Sequence, residues 1–286
     1  MTKKDLPLIG GHVSAAGGLY KAIENAEAIG ADAIQIFGAS PRQWHVAFPD
    51  KDAITRYHTA LEKSRVQGVY LHAPYLVNLA STDEAMLKKS VRTLADHLKI
   101  ANMIGANGLI FHLGSGKESP KDEAIKKATA AMQEVLKLAP GDAQLIMENA
   151  AGGGQRIGAT PSDFAAIMDK IKSPRVKICI DTAHAFEAGL IEHYTPPLIK
   201  KMLDEWDRAV GLKNLVALHV NDSKTAFNSH HDRHENIGEG FIGLAGFRAL
   251  AAEKRLHDKA WLLEVPGFAG EGPDKKNIDI LRSCFA

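Results

Sequence analysis

Short apolar runs alternate with longer amphipathic stretches along this chain, eight times over. The apolar runs fall at 8–12, 33–37, 69–73, 108–112, 144–148, 176–181, 215–220 and 260–264. They are near-continuously hydrophobic, as in Ile178-Cys179-Ile180. Strands buried on both faces read this way, because neither face of such a sheet meets water. Pro7 stands just before the first run, where its missing N–H removes no ladder bond. The stretches between predict helices at 17–29, 51–66, 82–105, 120–138, 161–171, 196–209, 243–253 and 274–283. The third is expected to start from Ser81 or Thr82, with Asp83 and Glu84 in its first turn, where acids suit the helix dipole. The fifth is expected to be capped by Thr160, with Pro161 at the first helical position.

Eight strand–helix units predict an α/β fold, a single (β/α)8 or TIM barrel spanning residues 1–286. An open, doubly wound sheet is the alternative. It lacks support because no glycine-rich dinucleotide fingerprint follows the first strand; Gly10-Gly11-His12 and Gly17-Gly18 have the wrong spacing. The stretch 221–243 shows no helical pattern until its end, and long connections inside a compact fold are usually functional.

Composition narrows the class. A hydrophobic fraction of 45% with 24% charged residues excludes disorder, collagen and coiled coil as the main architecture. No run approaches the roughly 18 apolar residues a membrane helix needs, and no apolar leader core follows Lys3-Lys4, so a soluble, cytoplasmic protein without a membrane partner is expected. Cys179 and Cys284 are too far apart in sequence for a zinc knuckle; Cys179 reads as inert strand core. The net charge of +1 does not advertise a nucleic-acid partner.

Barrel active sites sit at the C-terminal strand ends. The third to eighth predicted strands close with His72, His112, Glu148, Asp181, His219 and Glu264. His184 follows Asp181 by three residues, and the long seventh loop adds Asp232 and His234. Each alone would pass as a rim side chain or a helix cap. Together, several carboxylates crowded on one rim would resist ionisation unless a cation neutralised them. Nitrogen and carboxylate donors without thiolate suit Zn, Mn, Fe or Co, and nine donors exceed what one ion uses, so two or three ions are expected. Clustered divalent ions on such donors usually hydrolyse phosphoesters or amides. His12 ends the first strand on the same rim and is a candidate for an outer or substrate-facing role. His45, His58, His97, His193 and His257 read as solvated, as do His230 and His231, which lie close to Asp232 in sequence.

The chain resembles the endonuclease IV family of apurinic/apyrimidinic (AP) endonucleases over essentially its whole length. The matching segments are Gly11-His12-Val13-Ser14, Gln35-Ile36-Phe37, Arg42-Gln43-Trp44 and the run from His72 to Ala80. Further on they are His112-Leu113-Gly114-Ser115, Glu148-Asn149-Ala150-Ala151-Gly152, Asp181-Thr182-Ala183-His184, the run from His219 to Lys224, the run from Asp232 to Gly238, and Leu263-Glu264. The resemblance implies three Zn2+ per chain, replaceable by Mn2+ or other divalent ions. His72, His112 and Glu148 would hold the first. Glu148 would bridge to a second, held also by Asp181, His219 and Glu264, and His184, Asp232 and His234 would hold the third. Two departures accompany the match. Val265 follows Glu264 where threonine is frequent, so an outer hydrogen bond is expected to be lost. Asn228-Ser229 also stands where glycine is common.

The implied activity is DNA repair: a zinc-bound hydroxide cleaves the backbone 5′ to an abasic site in double-stranded DNA, leaving a 3′-hydroxyl and a 5′-deoxyribose phosphate, with trimming of blocked 3′ ends alongside. Glu148 is the catalytic centrepiece in this reading. Arg42, Tyr75 and Leu76 would enter the duplex beside a flipped nucleotide, for which a monomer suffices. Arg42, Lys224 and Arg233 are candidate phosphate contacts. Three Zn2+, less one bound hydroxide, would bring the loaded protein to roughly +6, which offsets the neutral sequence charge. A metal-dependent sugar isomerase or epimerase on the same barrel, and a non-catalytic lesion-binding protein, are the rival readings.

Overall fold

The computed structural model describes residues 6–117 and 119–286. Its strands are β1 (Leu8–His12), β2 (Ala33–Phe37), β3 (Gly68–His72), β4 (Gly108–His112), β5 (Gln144–Glu148), β6 (Val176–Asp181) and β7 (Leu215–His219). A two-residue ribbon, β8 (Asp222–Ser223) with β9 (His234–Glu235), precedes β10 (Ala260–Leu263). All but the ribbon form one closed parallel barrel, in the order β1-β10-β7-β6-β5-β4-β3-β2. Closure runs through Leu8↔Ala260 to Gly11↔Leu263 on one side of β1 and Gly10↔Ala33 on the other. The helices are α1 (Leu19–Ile29), α2 (Lys51–Glu62), α3 (Glu84–Met103), α4 (Lys121–Leu138), α5 (Pro161–Ile171), α6 (Thr182–Glu187), α7 (Pro196–Val210), α8 (Gly243–Ala251) and α9 (Lys275–Ser283). The chain is therefore a TIM barrel. Among the described residues, no helix is long and apolar enough to cross a membrane.

Two cores explain the unbroken hydrophobicity of the strands. Ala33, Tyr70, Ile110, Ile146, Cys179, Ala217, Ala260 and Leu262 pack together inside the barrel. Their strand neighbours, such as Leu145, Met147, Ile178 and Ile180, belong to a larger cluster shared with the helices. Side chains alternate along a strand, so both sets must be apolar. Cys179 is fully buried in the inner set, and burial pushes its thiol up to about 11.

The same alternation builds the barrel mouth. Two residues beyond each inner-core residue, the side chain again points inward. From Tyr70, Ile110, Ile146, Cys179, Ala217 and Leu262 this step reaches His72, His112, Glu148, Asp181, His219 and Glu264.

Several local expectations shift. β3 begins at Gly68, one residue earlier than its apolar run suggests. The cap of α3 is Asp83, whose carboxylate accepts from the N–H groups of Ala85 and Met86; neither Ser81 nor Thr82 fills that role. An acid satisfies two orphan donors and the dipole at once. Thr160 does precede α5, but its hydroxyl pairs with Ser162 instead of capping. A short helix that the sequence pattern does not predict, α6, directly follows β6. The Asp181 carboxylate caps it by accepting from His184 N.

The long seventh connection is organised by a buried acid. Asp222 accepts backbone N–H bonds from Ser223, Gly238, Gly240 and Ile242 at 2.9–3.0 Å and from Gly243 at 3.2 Å. Asn228 and His230 take left-handed φ of 59° and 58° in this loop. Asparagine tolerates that region better than most non-glycine residues.

His97 is fully buried, not solvated as its sequence context suggests. It lies four residues before Ala101 and three after Leu94, on the apolar stripe of α3. Neither ring nitrogen has a partner among the described residues, and burial depresses its pKa to about 4. His97→Leu is expected to raise unfolding stability by about 1–2 kcal/mol, because it removes an unsatisfied buried polar group at similar volume. A urea denaturation series checks this; a lower midpoint would show that the ring is paired.

Candidate metal centre

Strand parity delivers six side chains to one mouth, and two further elements deliver the rest. α6 carries His184 one turn after its capping Asp181. The β8–β9 ribbon, paired through Ser223↔His234, swings Asp232 and His234 back over the barrel. The structure thus brings all nine expected donors together, in overlapping groups whose donor atoms lie within 4.8 Å of one another: His72, His112 and Glu148; Glu148, Asp181, His219 and Glu264; Asp181, His184 and His234; and His184 and Asp232 with Glu187.

Glu148 is the hub. It is fully buried. One carboxylate oxygen, Oε2, faces His72 Nε2 at 3.2 Å and His112 Nε2 at 3.3 Å. The other, Oε1, faces His219 Nδ1 at 2.8 Å and His184 Nδ1 at 3.4 Å. Burial alone would keep Glu148 protonated. The charges of His112 and His219, with hydrogen bonds from His184 and His219, overcome it and hold the carboxyl well below its usual range. The converse holds at His184: burial opposes its charge, but Asp181, Asp232 and Glu148 raise its pKa well above the ordinary imidazole value.

Three rings are oriented from behind. His72 Nδ1 donates to the Ala73 carbonyl at 2.8 Å, His184 Nδ1 to that of Asn149 at 2.9 Å and His234 Nδ1 to that of Glu264 at 3.3 Å. A bond of this kind fixes the tautomer and leaves Nε2 as an electron-pair donor. His184 Nε2 and His234 Nε2 then face each other at 3.3 Å, with Asp232 Oδ1 at 3.2 and 3.7 Å from them. Three electron-pair donors so close repel one another unless a proton or a cation sits among them. This arrangement fits a divalent ion, as does the thiolate-free donor set.

Three buried amides, to which the sequence pattern assigns no role, support the centre. Gln35 donates through Nε2 to Glu264 Oε1 at 2.6 Å and lies 3.0 Å from His12 Nδ1, while its Oε1 accepts from His219 Nε2 at 2.8 Å. His219 is thereby turned to present Nδ1, unlike the other rings. Gln35 also supplies Glu264 Oε1 with an outer hydrogen bond that does not depend on the side chain at position 265. Asn221 bridges the Asp181 carboxylate and the Glu264 N–H, at 2.7 Å each, and Asn149 accepts from Asp181 N at 2.6 Å. Parity is a signal that finds Gln35, which stands two residues after inner-core Ala33. Glu187, buried beside His184 and Asp232, has no such signal in the linear chain.

A cavity of about 1120 Å³ opens over the centre, lined among others by His12, Phe37, His72, Tyr75, His112 and Asp232. Tyr75 is 75% exposed, with its ring edge-on to Phe37 at 5.6 Å. Leu76 beside it is half-buried, and Arg42 is exposed between Pro41 and Gln43, which line the cavity. Lys224 and Arg233 are exposed on the seventh loop; Lys224 lies 3.5 Å from Glu235 and Arg233 donates to its neighbour's carbonyl, Asp232 O. His45, His193, His230 and His231 are exposed as expected, whereas His58 and His257 are half-buried, the latter bonded to the Ala251 carbonyl.

Residues 23–284 match the family model described as the xylose isomerase-like TIM barrel. A probable endonuclease 4 from Halothermothrix orenii is 34% identical over 275 residues, covering 96% of this chain and 99% of that one. The crystal structure of endonuclease IV from Thermus thermophilus matches with a TM-score of 0.85 and 31% identity over 97% of this chain and 98% of that one. A D-tagatose 3-epimerase-like protein reaches a TM-score of 0.72 at only 18% identity, covering 96% of each chain, and shares the fold.

Proposed function

Because the chain belongs to the endonuclease IV family of AP endonucleases, we propose that it cleaves double-stranded DNA on the 5′ side of abasic sites, leaving a 3′-hydroxyl and a 5′-deoxyribose phosphate. Trimming of blocked 3′ ends is the same phosphodiester hydrolysis at a nick. The observation that carries this reading is a set of adjoining donor groups with Glu148 common to two of them. Glu148, Asp181, His219 and Glu264 would suffice for the one-ion chemistry of a sugar epimerase. The additional His72, His112, His184, Asp232 and His234 have no use there.

His72, His112 and Glu148 would hold one Zn2+; Glu148, Asp181, His219 and Glu264 a second; His184, Asp232 and His234 a third, with Mn2+ or another divalent ion as a substitute. Bound there, such ions supply Lewis acidity toward phosphoryl oxygens and a water nucleophile near neutral pH. The protein's own part is to place these charges in advance. Glu148 ties two groups together, and Gln35 locks His219 and Glu264 in register. The cavity is concave and cannot admit a stacked duplex, so the abasic nucleotide leaves the helix to enter it. Tyr75 offers an exposed aromatic plane and Leu76 an apolar neighbour to occupy the gap, while Arg42 reaches the backbone.

The test is incubation of the zinc-loaded protein with a duplex carrying one abasic site, followed by end analysis. A 3′-hydroxyl directly 5′ to the lesion is the expected product. Intact DNA together with ketose epimerisation would transfer the centre to sugar chemistry, and intact DNA with tight lesion binding would make it a non-catalytic binder.

Gap filling has its own measurement. Tyr75→Ala and Arg42→Ala are each expected to weaken binding to abasic duplex by about 1–3 kcal/mol, the scale of one stacking contact. Undamaged duplex at the same salt should lose less, since it offers no gap. Equal losses on both duplexes would reduce the two residues to general backbone contacts.

A further inference from the structure

Glu187 ends α6, three residues after His184, and its side chain is fully buried. Its carboxylate lies within 4.8 Å of donor atoms of His184 and Asp232. The two oxygens have different surroundings. Oε1 accepts the Ser223 hydroxyl at 2.8 Å, the Thr225 hydroxyl at 3.2 Å and the Arg233 N–H at 3.2 Å. Nearby backbone bonds reinforce the link: His230 N donates to Glu187 O at 3.0 Å and Asn228 N to Phe186 O at 3.2 Å. The loop carrying Asp232 is thus fastened to the helix carrying His184. Oε2, by contrast, is buried and has no hydrogen-bond partner among the described residues.

No Lys or Arg side chain pairs with Glu187 among the described residues; the ionisable side chains grouped with it are His184 and Asp232. A buried carboxylate so placed is unfavourable unless a cation is close. The group formed by His184, Asp232 and His234 is where such a cation would sit. We propose that Glu187 is a tenth member of the centre and its fifth acid. Through Oε1 it positions Asp232 and His234 on His184, and through Oε2 it adds negative charge to the third ion site. It is a positioning residue; no contact with the scissile phosphate is needed. This inference rests on the three-ion reading given above.

The test uses the metal-free full chain titrated with Zn2+ under calorimetry, with elemental analysis after equilibration in buffered zinc. Wild type should bind three ions. Glu187→Gln keeps the volume and an acceptor but removes the charge, so one of the three should loosen by at least about tenfold, the usual scale for a group behind a ligand. The other two should be unchanged, which also reports that the variant is folded. Three unaltered affinities would overturn the role of Glu187 and leave the three-ion reading intact. A wild type that binds fewer than three ions would overturn both. If Glu187→Gln does not fold, Glu187→Asp and Glu187→Ala decide: both shorten the side chain and only Asp keeps the charge. Asp should hold the third ion more tightly than Ala; equal loss in the two would overturn the proposal.

Discussion

Glu148→Gln is expected to lower turnover on an abasic duplex by at least about 10³-fold, roughly 4 kcal/mol of transition-state stabilisation. The substitution preserves volume but replaces an anionic oxygen with an amide group. Both oxygens of Glu148 are engaged, Oε2 by His72 and His112 and Oε1 by His219 and His184, so either amide orientation withdraws one anionic oxygen from a donor group. The charge shared by two donor groups is lost at the same time. DNA affinity should fall far less, because it draws on phosphate and groove contacts spread over the surrounding loops. Single-turnover cleavage and equilibrium binding, measured on one substrate, separate the two effects. Near wild-type cleavage by the variant would mean that Glu148 does not join the two groups.

Exhaustive chelation is expected to abolish cleavage and lower the thermal midpoint together. The centre gathers Glu148, Asp181, Asp232 and Glu264 at one mouth, and cations held there stabilise the folded chain by mass action. Free zinc at about 1,000 times its dissociation constant contributes about 4 kcal/mol per site, which removal forfeits. At roughly 2–4 °C per kcal/mol for a chain of this size class, the midpoint should drop by about 8 °C or more. Differential scanning fluorimetry before and after chelation, then after zinc is restored, measures it; Mn2+ should restore part of both properties. A midpoint indifferent to chelator, with activity retained, would exclude structural and catalytic ions alike.

Both effects depend on residues visible in the linear chain, and the reason is geometric. In a closed parallel barrel every strand obeys the same two-residue alternation, so the residue type at a strand's end fixes what stands in the mouth. His72, His112, Glu148, Asp181, His219 and Glu264 are therefore legible as one rim from the strand pattern alone. The eight-unit count likewise determined the barrel, because continuous apolar strands need helices outside and packed side chains inside. Local signals failed where a tertiary partner or a stronger local one competed. Asp83 displaces Ser81 and Thr82 as a cap because a carboxylate there meets two N–H groups and the helix dipole. His97 belongs in solvent by its polarity, yet α3 turns that position onto the barrel.

What only the tertiary structure decided is how the ligand-bearing loops are held. Nothing in the sequence spacing shows that Asp222 gathers five backbone N–H groups to fold the seventh connection, or that Gln35 turns His219 to present Nδ1. Nor does it show that Glu187 fastens Ser223, Thr225 and Arg233 to the helix of His184. Glu187 and Arg233 are 46 residues apart, and Gln35 and His219 are 184 apart. Periodicity carries information over a few residues, through the pitch of a helix or the pleat of a strand. Hydrogen bonds between distant segments exist only after closure of the barrel has brought those segments within about 3 Å.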